Sequence, residues 1–113
     1  MRRIQEKLLS FWAEIEAPYW DTEFLRLRGE IRLAQDAAAR EEAESLFLRA
    51  IEISRRQGGR LLELRAATSL ARLLRDQDRR DEARALLAPV YDWFTEGFDT
   101  ADLKDAKALL DEL

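Results

Sequence analysis

The stretch AESLFLRAIEISRRQGGRLLELRAATSLARLL, residues 43–74, decides the fold. Its apolar residues recur at steps of three and four. Ala43, Leu46, Phe47, Ala50 and Ile51 lie before Gly58-Gly59, and Leu64, Ala67, Leu70, Ala71 and Leu74 lie after it. That spacing lines up each set on one face of an α-helix. Glycine is favoured in the left-handed conformation that closes helix C-termini, so one helix should stop at Gly58-Gly59 and the next should run over about 61–75. Two amphipathic helices on so short a turn are expected to pack as an antiparallel hairpin.

The same period extends in both directions. Upstream, Trp20, Phe24, Leu27 and Ile31 share a face of a helix that starts at Pro18 or Asp21 and runs to about Gln35. The residues Asp36 to Arg40 connect it to the next helix. Before it, Ile4, Leu8, Phe11, Trp12 and Ile15 form another stripe, and Ala17-Pro18 ends that helix because a residue before proline avoids the αR region. Downstream, Asp76-Gln77-Asp78 is a turn in which Asp78 is expected to cap the next helix N-terminus. That helix turns Ala83, Leu86, Leu87, Val90 and Phe94 inward, and Pro89 within it predicts a kink. Gly97 breaks the chain, Asp99 or Thr100 caps a last helix, and Leu103, Ala106, Leu110 and Leu113 face inward on it. No segment alternates with period two. The expected fold is all-α, with about six antiparallel helices in a single domain over 1–113.

Composition narrows the function. The chain has 113 residues, 47% hydrophobic and 37% charged, which suits a folded domain. The net charge of −4 is local: from Glu96 onward there are six acids and two lysines, which leaves 17 of each sign before it. No basic excess is present to hold a phosphate backbone, so no nucleic-acid partner is expected. No apolar run nears the roughly 20 residues that span a bilayer, so no membrane partner is expected either. Arg2-Arg3 precede Ile4, but Gln5, Glu6 and Lys7 follow, which is no secretory signal. Cysteine is absent, in keeping with a reducing, cytoplasmic setting.

Two stretches repeat one pattern. Leu25 and Gly29 on one helix, with Ala43, Phe47 and Ala50 on the next, correspond to Ala67 and Ala71 followed by Ala83, Leu87 and Val90. Small residues recur where helices cross, and a bulky one fills the gap to the next hairpin. The hairpins lie at about 19–57 and 60–95, with flanking helices at about 2–16 and 99–113. This pattern resembles the tetratricopeptide family (TPR), although its period is longer than the family's roughly 34 residues. The resemblance implies a short right-handed α-solenoid used for protein binding. The run from Glu63 to Leu113, with the phrase WFTEGFDT at Trp93 to Thr100, is similar to the C-terminal end of large bacterial signalling proteins. Those join an adenylate cyclase or regulatory domain and a P-loop ATPase domain to such repeats. FLRLRGEIRLAQ, Phe24 to Gln35, resembles a helix of the preceding repeat there. The likeness implies an excised C-terminal domain or a short relative, with none of the catalytic parts.

The residues offer no catalytic chemistry. Histidine and cysteine are both absent, which removes the commonest general base and the usual nucleophilic triads. No glycine-rich phosphate loop and no nucleophile elbow occur. Asp76 and Asp78 lack the glycine and the glutamate of a calcium loop, and Glu41, Glu42 and Glu44 are explained as acids at a helix N-terminus. No catalytic residue, cofactor or metal is therefore expected.

Binding residues follow from the resemblance, in which the first helix of each hairpin lines a concave groove. Carried over by position, these are Glu23, Arg26 and Glu30, then Arg65, Thr68, Arg72 and Arg75. Arg65, Arg72 and Arg75 would make a basic stripe for an acidic peptide or carboxylate, since guanidinium binds oxyanions in pairs of hydrogen bonds. The same residues also fit a solvated face with internal Arg/Glu pairs. Phe11, Trp12, Tyr19 and Trp20 crowd the N-terminal end, where either the first helix caps the stack or copies associate end to end. The expected partner is a protein or peptide, a sibling domain of a parent protein included, with a homo-oligomer as the alternative.

Overall fold

The computed structural model describes residues 19–113. The expected flanking helix at about 2–16, with Phe11 and Trp12, lies outside them. Five helices and no strand occur among the described residues: α1 Tyr19–Gln35, α2 Arg40–Gln57, α3 Arg60–Asp76, α4 Arg80–Asp92 and α5 Ala101–Glu112.

The junctions follow from local chemistry. α2 ends at Gly58, whose φ of 70° is left-handed. The Gly58 amide donates to the Arg55 carbonyl and the Gly59 amide to that of Ser54, at 3.3 and 2.8 Å. These bonds satisfy carbonyls that the helix end leaves open. The end of α3 repeats this bonding: Asp78 donates to Arg75 and Arg79 to Leu74, at 2.9 and 2.8 Å. Asp78 itself takes the left-handed conformation, with φ 61°. It therefore closes α3, whereas the sequence reading had it capping α4. The N-cap of α4 is Arg79, without a side-chain bond. Aspartate suits both places, and here the backbone demand of the α3 terminus prevails. α4 runs past Pro89 to Asp92. Thr100 stands at the α5 N-cap in extended conformation, but its hydroxyl donates to the Gly97 carbonyl.

Helix directions can be read from side-chain pairs. Arg32 meets Glu42 near the α1–α2 turn, and farther from it a Cβ on Gly29 would meet the Phe47 ring, so α1 and α2 are antiparallel. Arg60 at the start of α3 stacks on Trp93 just after α4, its guanidinium 4.8 Å from the ring centre, so α3 and α4 are antiparallel as well. In contrast, Glu23 and Arg26 of α1 reach Arg65 and Ser69 of α3, and Arg65 and Arg75 reach Asp102 and Glu112 of α5. α1, α3 and α5 thus run in one direction side by side, with α3 in the middle.

One core joins all five helices. Leu25, Phe47, Leu64, Leu70, Leu87, Leu103 and Leu109 are among its buried members, with Leu86, Phe94, Leu110 and Leu113 half-buried against it. On α1 the inward residues are Thr22, Leu25 and Gly29. The stripe of Phe24, Leu27 and Ile31 is exposed.

Candidate functional site

A polar cleft of about 240 Å³ opens over the middle of the row, lined by Arg26, Arg65, Thr68, Ser69, Arg72, Asp102 and Asp105. α1 supplies one of these residues, α3 four and α5 two. The helical period explains the α3 set, because positions 65, 68, 69 and 72 share a face.

Most of the charge in the cleft is already matched. Arg65 donates from Nε to Asp102 Oδ2 at 3.0 Å, and its other end lies 3.6 Å from Glu23 Oε2. This one guanidinium ties α3 to both neighbours. Burial lowers its pKa, but the hydrogen bond and charge of Asp102, together with Glu23, outweigh that, and the net shift is upward. Arg26 pairs with Glu23 and donates to the Ser69 hydroxyl at 3.4 Å. Thr68 is buried, and its hydroxyl donates to the Leu64 carbonyl at 2.7 Å. Arg72 is half-buried and makes no ion pair or hydrogen bond among the described residues. Asp105 is exposed and likewise makes no ion pair there.

Four of the seven groove residues expected from sequence, Arg26, Arg65, Thr68 and Arg72, come together in this cleft. Glu23 stands behind them as a partner of Arg26 and Arg65. Glu30 is half-buried and does not line the cleft. Arg75 lies away from the cleft and binds Glu112 at 2.6 Å and Asp76 at 3.2 Å. Burial lowers its pKa, yet those carboxylates raise it overall. The stripe Arg65, Arg72 and Arg75 is therefore not three open cations, since α5 occupies the first and last. Tyr19 and Trp20 begin α1.

The sequence reading missed Ser69, Asp102 and Asp105. The available signal was the constant spacing of 37 residues from Arg65 to Asp102 and from Arg75 to Glu112, opposite charges on two helices of the row.

No family model, curated protein or solved structure matches the chain. No group of three or more acidic side chains is arranged to hold a metal ion among the described residues. No described helix is long and apolar enough to cross a membrane.

Proposed function

We propose that this chain is a protein-interaction domain without catalytic activity, a TPR-like stack of helical hairpins that binds an extended peptide in the cleft over α3. The family resemblance of the repeats suggests the class, and three co-directional helices carrying one cleft agree with it. The observation that carries the reading is Arg72: a half-buried guanidinium on the cleft wall, without a partner among the described residues, beside cations that all have one. A guanidinium with no carboxylate beside it gains most from acquiring one, which it can grip with two parallel hydrogen bonds. Asp105 on the facing helix offers an opposite charge. The bound segment is thus one with an acidic group near a basic one. A sibling domain of a cytoplasmic bacterial signalling protein would supply such a segment.

The test is a fluorescence-anisotropy titration of the full chain against a panel of extended peptides of mixed and single charge. Saturable binding to mixed-charge or acidic peptides is expected, weakened at least about tenfold in Arg72→Glu, about 1.4 kcal/mol. Arg72→Lys should retain part of it, because the charge remains while the paired hydrogen bonds are lost. Binding that is absent from the panel, or unchanged in Arg72→Glu, rejects the proposal.

A further inference from the structure

The connection from α4 to α5 carries two large aromatic side chains on the surface. Trp93 is 53% exposed and Phe98 46%. Both are held in place from below. Phe94 packs against the core and meets the Trp93 ring edge to face, with centroids 5.2 Å apart. Phe98 leans on the half-buried Tyr91, with centroids 5.8 Å apart. The backbone is tied as well. The Phe94 amide donates to the Tyr91 carbonyl at 3.1 Å, and the Thr100 amide and hydroxyl both donate to the Gly97 carbonyl, at 3.0 and 2.7 Å. Aromatic side chains that are already ordered lose little freedom when a partner covers them.

The charge around these rings selects the partner. From Asp92 to Leu103 there are four acids and no base. Asp102 is taken by Arg65. Asp92, Glu96 and Asp99 are exposed and make no ion pair or hydrogen bond among the described residues. Arg60, which lies over the Trp93 ring from α3, is engaged both by that ring and by Glu63 at 3.6 Å. Its stacking shows that a guanidinium fits on this indole. Unpaired acids beside apolar rings repel phosphate, which disfavours nucleic acid and anionic lipid, and they attract lysine and arginine.

From this combination we infer that Trp93 and Phe98 anchor a docking surface for a protein segment in which apolar residues are interleaved with lysine or arginine. The apolar side chains cover the two rings, and the cations reach Asp92, Glu96 and Asp99. The preferred charge is opposite to the one that Arg72 takes in the cleft, so the two surfaces engage different partners. This inference does not depend on the cleft.

The probe is a short fluorescein-labelled peptide of interleaved leucine and lysine, titrated with the full chain by anisotropy. Two control peptides carry glutamate in place of lysine, or serine in place of leucine. Saturable binding of the leucine–lysine peptide alone is expected. Trp93→Ala should weaken it at least about tenfold, as for an aromatic anchor. That change also takes the ring away from Arg60, so a second variant is needed. Asp92→Asn/Glu96→Gln/Asp99→Asn alters exposed side chains only. It should weaken binding several-fold and flatten its dependence on salt. Arg72→Gln should leave the affinity unchanged. No binding, equal binding of the three peptides, or an affinity unaltered in either surface variant would overturn the inference. A loss in Arg72→Gln would overturn it in favour of the cleft. Self-association that light scattering detects and that Trp93→Ala abolishes would overturn it in favour of a second copy.

Discussion

α1 and α3 are both 17 residues long and run in the same direction, yet they meet the rest of the molecule differently. α3 buries ten of its residues, and Leu64, Ala66, Ala67 and Ala71 have no exposed surface at all. α1 buries Thr22, Leu25 and Gly29 between positions 22 and 35, and it leaves Phe24, Leu27 and Ile31 open. α1 is not the more polar helix. It touches α2 and α3, whereas α3 is held by all four of the others. Burial here follows place in the row, so an apolar stripe is core on one helix and, among the described residues, outer surface on the other.

The largest test of that contrast is at the contact between α1 and α2. Phe47 is fully buried, and its ring fills the space that Gly29 leaves beside it. Phe47→Ala should cost about 3–5 kcal/mol in urea unfolding, combining lost transfer energy with a cavity. A loss under about 1 kcal/mol would mean that α1 is not held through this ring.

Next comes the difference between the acids of the two helices. Glu63 on α3 is 3% exposed and takes Arg55 Nε at 2.8 Å, with Arg60 at 3.6 Å. Glu23 on α1 is more open and is also held by two arginines. Glu63→Gln keeps the shape but removes a charged acceptor beneath two guanidinium groups, at an expected cost of about 1–3 kcal/mol. Glu23→Gln should cost under about 1 kcal/mol, as for pairs near water. Equal effects would remove the distinction between an inner and an outer helix of the row.

A smaller effect is expected at Gly29. A Cβ there would stand 2.6 Å from Phe47 Cε1, closer than carbon atoms approach. Gly29→Ala gains about 1 kcal/mol of helix propensity but incurs about 1–3 kcal/mol of overpacking, so a net loss near 1 kcal/mol is expected. A stabilised variant would show that α1 can shift away from α2, which α3 could not do between its neighbours.

The parts of this fold that are local were legible in the sequence. The end of α2 was readable because Gly58 meets a backbone requirement few residues meet, and the helix faces of α2, α3 and α4 because each has one apolar side. For α1 the repeat pointed to Leu25 and Gly29, while periodicity alone pointed to Phe24, Leu27 and Ile31. Period cannot tell an inward stripe from an outward one when both are apolar. The cleft was legible only in its α3 wall. Arg65 and Arg75 looked open because their partners, Asp102 and Glu112, are set by where α5 docks, which no local pattern encodes.

Asp78 is the last point of contrast, and its sign is diagnostic. α2 and α3 end with the same pair of backbone hydrogen bonds, but one uses glycine in the left-handed position and the other aspartate. The Asp78 carboxylate is 97% exposed and 3.9 Å from Arg80, so its charge contributes little. Its Cβ carries the cost of the left-handed conformation. Asp78→Gly should therefore stabilise by about 0.5–1 kcal/mol, the conformational relief exceeding the added freedom of the unfolded chain. If the carboxylate instead capped α4, as the sequence alone suggested, the same change would lose a few tenths of a kcal/mol, and the loss on Asp78→Ala would be about 1 kcal/mol. Thermal unfolding of the glycine variant separates the two: a midpoint raised by roughly 2–6 °C assigns Asp78 to the end of α3, and a lowered one returns it to the start of α4.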